Sequence, residues 1–151
     1  MKIIKYLIQF IIICIFYLIF KIIGVKLSSF LSGKLFEIIG PVFRSKKIID
    51  NNIRKAFPDY NSEELNKIKS SMWNNYGRVF AEYLYMKNFR DGNLSKNISL
   101  EGEDVLLNIR DQNKKVIFIS GHFSNFELMA MQIDKIGIKI GAIYRPLNNI
   151  F

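Results

Sequence analysis

The residues best suited to chemistry are His122, the single histidine of the chain, and Glu127, five positions later. On a continuous helix that spacing sets two side chains about 140° apart, so they meet only if His122 precedes a helix and Glu127 lies in its first turn. A carboxylate bonded to one imidazole nitrogen fixes the tautomer and leaves the other nitrogen free to take a proton from an alcohol. The pair therefore predicts general-base chemistry on a hydroxyl group.

The predicted elements around this pair favour such a role. A buried strand is predicted over 116–120, and ligands bind at the carboxyl ends of strands in open α/β sheets. A second polar cluster, Tyr144–Asn149, follows the next predicted strand, 138–144. If the two strands are neighbours, both loops reach one edge of the sheet. Arg145 in the second loop would supply a fixed cation for a phosphate, a carboxylate or a developing oxyanion.

Short apolar runs that alternate with helical patterns predict an α/β fold for the C-terminal part, with a mixed or parallel sheet and flanking helices. The predicted strands are 98–100, 116–120 and 138–144, and the predicted helices are 103–112 and 125–136.

The preceding segment is predicted to be helical. Gly40–Pro41 is expected to end a helix that runs through 27–39. A basic helix is expected over 43–57, whose charged face meets either solvent or anionic headgroups. Asn61 and Glu64 have the spacing of a capping box, which predicts a helix to about Asn88. Its expected buried stripe is Leu65, Ile68, Met72, Tyr76, Val79, Phe80, Tyr83 and Leu84.

The 21 residues from 3 to 23 are predicted to be a membrane anchor, because a helix of about 20 apolar residues spans a hydrocarbon core of about 30 Å. A cleaved signal peptide and an interfacial or buried helix are the alternatives. More basic residues follow the span than precede it, which predicts a single-pass protein with the bulk of the chain in the cytoplasm.

The net charge of +9 favours polyanionic partners: an anionic membrane, an acidic protein or a nucleic acid. One cysteine and one histidine exclude the usual nitrogen-and-sulfur zinc cage.

Two motifs carry a family resemblance. Gly121–Leu128 (GHFSNFEL), followed by Ala142–Asn148 (AIYRPLN), resembles the lipid A biosynthesis (late) acyltransferase family of the lauroyl/myristoyl type, within a superfamily that has a His-x4-acid motif. Asn52–Pro58 (NIRKAFP) and Tyr76–Arg78 (YGR) add to the resemblance, so it covers nearly the whole chain. Phe126 stands where the family usually has tryptophan.

The resemblance implies transfer of a fatty acyl chain from acyl-acyl carrier protein to a hydroxyl of a lipid A precursor at the inner membrane, with no cofactor and no metal. His122 would be the general base and Glu127 its partner. Asn125, Arg145 and Asn148 would bind substrate. Direct attack by the lipid hydroxyl is favoured over a covalent serine because no nucleophile-elbow pattern is present. A nucleic acid is not an expected partner, since no motif for one is present.

The resulting domain plan has three parts: a membrane anchor over 1–24, a basic, membrane-proximal helical region over 25–97, and the N-terminal part of a catalytic α/β domain over 98–151. The family continues for about as long again beyond the second motif, so we expect the chain to be its N-terminal half. A truncated, non-catalytic, membrane-anchored fragment is the alternative to an active enzyme.

Overall fold

The computed structural model describes residues 2–143. Its α-helices are α1 (Lys2–Ile23), α2 (Val25–Phe43), α3 (Lys46–Ala56), α4 (Ser62–Glu82), α5 (Met86–Asp91), α6 (Glu103–Asp111) and α7 (Glu127–Lys135), with short 3-10 helices at Tyr83–Tyr85 and Ser95–Asn97. The described residues form two compact units, one of residues 15–84 and the other of residues 2–14 together with 85–143.

Helix α1 is the one helix of the described residues that is long and apolar enough to cross a membrane. Of its 22 residues only Phe20 is buried, which disfavours the alternative of a buried core helix. Its length and composition fit a retained anchor and a signal sequence alike. Gly24 separates α1 from α2 with φ +80, a conformation in which an L side chain is strained.

Helices α2 and α4 pack closely through small residues. The buried positions of α2 are Ser28, Ser29, Ser32, Gly33 and Gly40, and those of α4 are Leu65, Gly77 and Ala81. A Cβ atom on Gly77 would come within 2.2 Å of the carbonyl oxygen of Ser32. The backbones of the two helices therefore approach to a distance that only glycine at position 77 permits.

An aromatic cluster centred on Phe80 joins three helices of this unit. Phe16, Tyr17 and Phe20 of α1 and Phe36 of α2 surround it, with ring centroids 5.5 to 6.5 Å away. The predicted buried stripe of α4 is correct at Leu65 but wrong at Tyr76 and Tyr83, which are exposed. Gly77 and Ala81 lie at the contact with α2 instead, because α2 and α4 are too close for a tyrosine side chain between them.

The capping box at the start of α4 is confirmed. The Asn61 side chain accepts from the amides of Glu63 and Glu64 at 2.9 and 3.1 Å, and the Glu64 carboxylate accepts from the Asn61 amide at 2.8 Å. The helix ends earlier than predicted, at Glu82, and the chain continues through a 3-10 turn into α5.

The prediction that Gly40–Pro41 ends the preceding helix is wrong, since α2 continues to Phe43. Pro41 lies in the last turn, where its missing amide removes one hydrogen bond without disrupting the helix before it. Gly40 serves packing instead, because a Cβ atom there would lie 2.3 Å from the indole of Trp73. The basic helix predicted over 43–57 is confirmed as α3, Lys46–Ala56.

Helices α6 and α7 confirm the two helices predicted after residue 98, but the residues 2–143 contain no β-strand. The predicted sheet is therefore not found in the described part of the chain, which is helical; Tyr144, at the end of the last predicted strand, lies outside it. A strand needs a partner for its backbone groups, and among the described residues no backbone hydrogen bond joins 116–120 to another segment. Ile117 and Ile119, predicted to be buried, are 89% and 93% exposed.

Candidate active site at the start of α7

His122 and Glu127 occupy the positions that their spacing requires. His122 lies in the non-helical segment before α7, and Glu127 is the first residue of that helix. A carboxylate in the first turn interacts favourably with the positive end of the helix dipole. The structure thus confirms the predicted boundary between the two residues, and the catalytic roles stay a prediction.

The imidazole ring of His122 is stacked on the ring of Phe126. The ring centroids are 4.2 Å apart and the ring planes lie 19° from parallel. Stacking covers one face of the imidazole, and the His122 residue as a whole is exposed to solvent. The sequence marks Phe126 only as a replacement for tryptophan, although its position four residues after His122 is a signal for this contact.

The loop between them has a strained bend. Ser124 has φ +47, in the left-handed region that few residues other than glycine adopt. Asn125, predicted to bind substrate, is buried, and its backbone carbonyl oxygen accepts a hydrogen bond from the backbone amide of Leu128 at 3.2 Å. Phe123 is exposed and close to Gly121, where a Cβ atom would meet its ring at 2.4 Å.

Helix α7 is held in place from its other end. Arg90 of α5 forms an ion pair with Asp134 at 2.6 Å, and Lys135 donates to the carbonyl oxygen of Arg90. Arg110 of α6 donates to the carbonyl oxygen of Ile136 at 3.3 Å. These contacts fix α7, and therefore the start of the helix at Glu127, relative to α5 and α6.

A cavity of about 700 Å³ lies alongside α7. Residues 114–118 and 138–143, which overlap the strands predicted over 116–120 and 138–144, line it, together with Met129, Ala130 and Ile133 of the helix. Its walls are mainly apolar, with lysines at the ends of the two segments. The remaining predicted site residues, Arg145 and Asn148, lie outside the described residues.

The upstream motifs shape the helical unit. In the Tyr76–Arg78 motif, Gly77 permits the contact with α2, and the Arg78 guanidinium donates to the Asn74 side chain at 2.6 Å. Asn74 donates in turn to Glu37 at 2.6 Å. The hydrogen bond from Lys34 is the main cause that holds the pKa of Glu37 below its ordinary value, and Asn74 adds to it. The motif therefore supports the packing of α2 on α4.

The sequence profile of the family described as bacterial lipid A biosynthesis acyltransferase matches residues 1–151, and the chain belongs to that family. Two curated relatives are the lipid A biosynthesis palmitoleoyltransferase of Escherichia coli (strain K12) and the lipid A biosynthesis acyltransferase of Shigella flexneri. Each is 27% identical over 106 residues, which are 70% of this chain and 34% of the relative. The chain thus spans about a third of the length of these relatives. No solved structure matches it at a comparable level.

Proposed function

We propose that the chain takes part in transfer of a fatty acyl chain from acyl-acyl carrier protein to a hydroxyl of a lipid A precursor, with His122 as general base and Glu127 as its partner. Family membership supports the reaction class, as do the names of both relatives, which describe acyl transfer in lipid A biosynthesis. The observation that carries the residue roles is the position of His122 just before α7, with Glu127 in the first helical turn.

In this mechanism one imidazole nitrogen of His122 takes the hydroxyl proton as the lipid oxygen attacks the thioester carbonyl. Glu127 accepts a hydrogen bond from the other nitrogen and stabilises the imidazolium. The tetrahedral intermediate collapses, the carbon–sulfur bond breaks, and the departing sulfur takes the proton from His122, so that the carrier leaves as a thiol and the imidazole is neutral again. Arg145, Asn148 and Asn125 bind the substrate, and the fixed cation of Arg145 stabilises the developing oxyanion.

The proposed location is the inner membrane, with α1 as a single-pass anchor and the bulk of the chain in the cytoplasm. The candidate span of α1 and the net charge of +9 support this location. A positive surface attracts both an acidic carrier protein and an anionic lipid, and it raises the rate at which they meet the protein.

The proposed catalytic domain includes an α/β sheet to which 116–120 and 138–143 contribute strands. The apolar run at 116–119 supports this proposal, because consecutive apolar residues are stabilised when they are covered. Pairing of the two segments would bring the His122 loop and Arg145 to one edge. Residues 98–151 would then form the N-terminal part of that domain, after the anchor at 1–24 and the basic helical region at 25–97.

The test is acyl transfer by the purified chain in lipid nanodiscs, with radiolabelled acyl-acyl carrier protein and a lipid A precursor. We expect His122→Ala to lower turnover by about 10²- to 10⁴-fold, the usual contribution of a general base. Lys67→Ala, at an exposed position of α4, is the matched control and is expected to keep the wild-type rate. An unchanged rate in His122→Ala would refute the base assignment. No turnover by the wild-type chain at any concentration would favour the non-catalytic fragment.

A further inference from the structure

Helix α2 has the reverse of the distribution expected for a helix of a water-soluble protein. Its face toward α4 carries serine and glycine, with Ser28 and Ser32 fully buried. Its opposite face carries large apolar residues that are exposed: Leu27, Phe30, Leu31, Ile38 and Val42. At 100° per residue these five lie within about 120° of the helix circumference. Ile38 is 76% exposed and Val42 is 83% exposed.

Such a distribution is common in helices that face lipid. Where the surroundings are apolar, helices associate through small residues and close backbone approach, and their bulky apolar side chains point outward. The contact of Gly77 with the Ser32 carbonyl is of this kind. In water, by contrast, an amphipathic helix turns its apolar stripe toward the protein core. An exposed apolar surface of this kind on the outside of α2 marks an interaction site.

The three charged residues of α2, Lys26, Lys34 and Glu37, disfavour a second membrane crossing and suit a position at the membrane surface. Lys34 lies within the apolar face, and its ammonium group bonds Glu37 at 3.0 Å, toward the side of the helix. Exposed Arg44, Lys46 and Lys47 follow the helix directly. Cations beside an apolar surface complement anionic headgroups next to acyl chains.

The connection to α1 also points to a membrane. Only Gly24 separates the candidate span from α2, so the start of α2 lies at the membrane surface if α1 crosses it. Phe20, in the second half of α1, packs on Phe80 of α4, and Phe36 of α2 packs on the same ring. Within the Ile15–Leu84 unit, the end of the span and α2 thus belong to one packed body.

We propose that α2 lies along the cytoplasmic membrane surface with its apolar face among the lipids, and that Arg44, Lys46 and Lys47 bind anionic headgroups. The occupant of this face is a bilayer that contains anionic phospholipid. The inference rests on the membrane location in the proposed function and is independent of the acyl-transfer chemistry.

The test uses a fluorophore that reports its environment, attached to single cysteines of the full chain in vesicles that contain lipid-borne quenchers. The native Cys14 reports on α1. In the Cys14→Ser background, Val42→Cys reports on the outer face of α2, and Lys67→Cys on α4 is the matched exposed control. We expect a blue-shifted emission and several-fold stronger quenching at position 42 than at position 67. We also expect quenching at position 42 to weaken when phosphatidylglycerol is replaced by phosphatidylcholine, or when Arg44 and Lys47 are changed to glutamate.

Three results would overturn the inference. Quenching at Cys14 without quenching at position 42 refutes it and leaves the α1 anchor intact. A blue shift at position 42 that is insensitive to lipid quenchers shows that protein covers the face. Absence of quenching at both positions refutes the membrane location itself and leaves the acyl-transfer chemistry, which the turnover assay tests separately, untouched.

Discussion

The imidazole of His122 rests on the phenyl ring of Phe126, with the two ring centroids 4.2 Å apart. Stacked aromatic pairs of this kind contribute about 0.5–1.5 kcal/mol beyond the area they bury. Phe126 is half-buried and is the N-cap residue of α7, so it provides a fixed surface against which the imidazole is oriented. If His122 is the base, Phe126 is a positioning residue that acts through it.

We therefore expect Phe126→Ala to lower kcat by up to about tenfold, because up to about 1.4 kcal/mol of orienting contact is lost. KM should change little, since Phe126 is proposed to act on the base and not on the substrate. Phe126→Trp keeps an aromatic surface and should preserve most of kcat. Steady-state kinetics in nanodiscs measure both constants. A change of KM alone would show that the ring serves substrate binding instead.

A double-mutant cycle tests whether His122 and Glu127 act as one unit. Glu127→Ala should lower turnover by about 10-fold or more, because the imidazolium loses its stabilising partner. The double variant His122→Ala/Glu127→Ala should then be no slower than His122→Ala, since residues that act together are strongly non-additive. Multiplicative losses in the double variant would contradict the pairing and assign Glu127 an independent role.

The contact between α2 and α4 makes Gly77 sensitive to any side chain. Gly77→Ala places a methyl group 2.2 Å from the Ser32 carbonyl oxygen, so the helices must separate. Overpacking of this kind costs about 1–3 kcal/mol of unfolding free energy. Thermal unfolding in detergent, followed by circular dichroism, measures the loss. Gly141→Ala is the control, because the added methyl group meets nothing within 4 Å. Equal stability of the two variants would mean that the helices are farther apart.

The capping box at Asn61 gives a local prediction of stability. Asn61→Ala removes the acceptor for two amides of the first turn of α4 and should lower the unfolding free energy by about 1 kcal/mol. Asn61→Ser should recover most of it, because serine also caps helices. Denaturant unfolding of the three proteins gives the ranking. An alanine variant as stable as the wild type would show that the cap is not formed in solution.

The ion pair between Asp50 of α3 and Lys69 of α4 predicts a loss of stability in acid. The hydrogen bond from Lys69, at 2.8 Å, is the main cause that lowers the pKa of Asp50, and the nearby charges of Lys46 and Arg54 add to it. A carboxyl group whose pKa is lower in the folded state stabilises the fold above its unfolded pKa. It loses that contribution as the pH falls through the folded pKa.

The contribution of Asp50 should therefore be complete at neutral pH, begin to fall below about pH 4, the ordinary pKa of an aspartate, and be lost as the pH passes below the lowered pKa of the folded state. Thermal unfolding as a function of pH measures it. Asp50→Asn should be less stable than the wild type at pH 7, and the two curves should converge in acid. Parallel curves down to pH 2 would show that the ion pair does not contribute.

Features that depend on neighbouring residues were predictable from the sequence. The capping box, the presence of α3 and α6, the candidate span and the loop between His122 and α7 all follow from side-chain chemistry within a few positions. The motifs around His122 and Arg145 are short and contiguous, which is why they predicted the family before any geometry was known.

Tertiary structure decided what depends on residues far apart in the chain. Gly40 and Gly77 belong to close helix contacts whose partners, Trp73 and Ser32, lie more than 30 positions away, and no local pattern identifies such pairs. The strand predicted over 116–120 depends on a partner for its backbone that no residue among 2–143 supplies. The outward apolar face of α2 likewise depends on the packing of α4 against the serines of α2, which leaves the opposite face exposed. Local chemistry thus determined the helices and the candidate catalytic loop, whereas the contacts between helices determined which faces are buried and which stay available for other molecules.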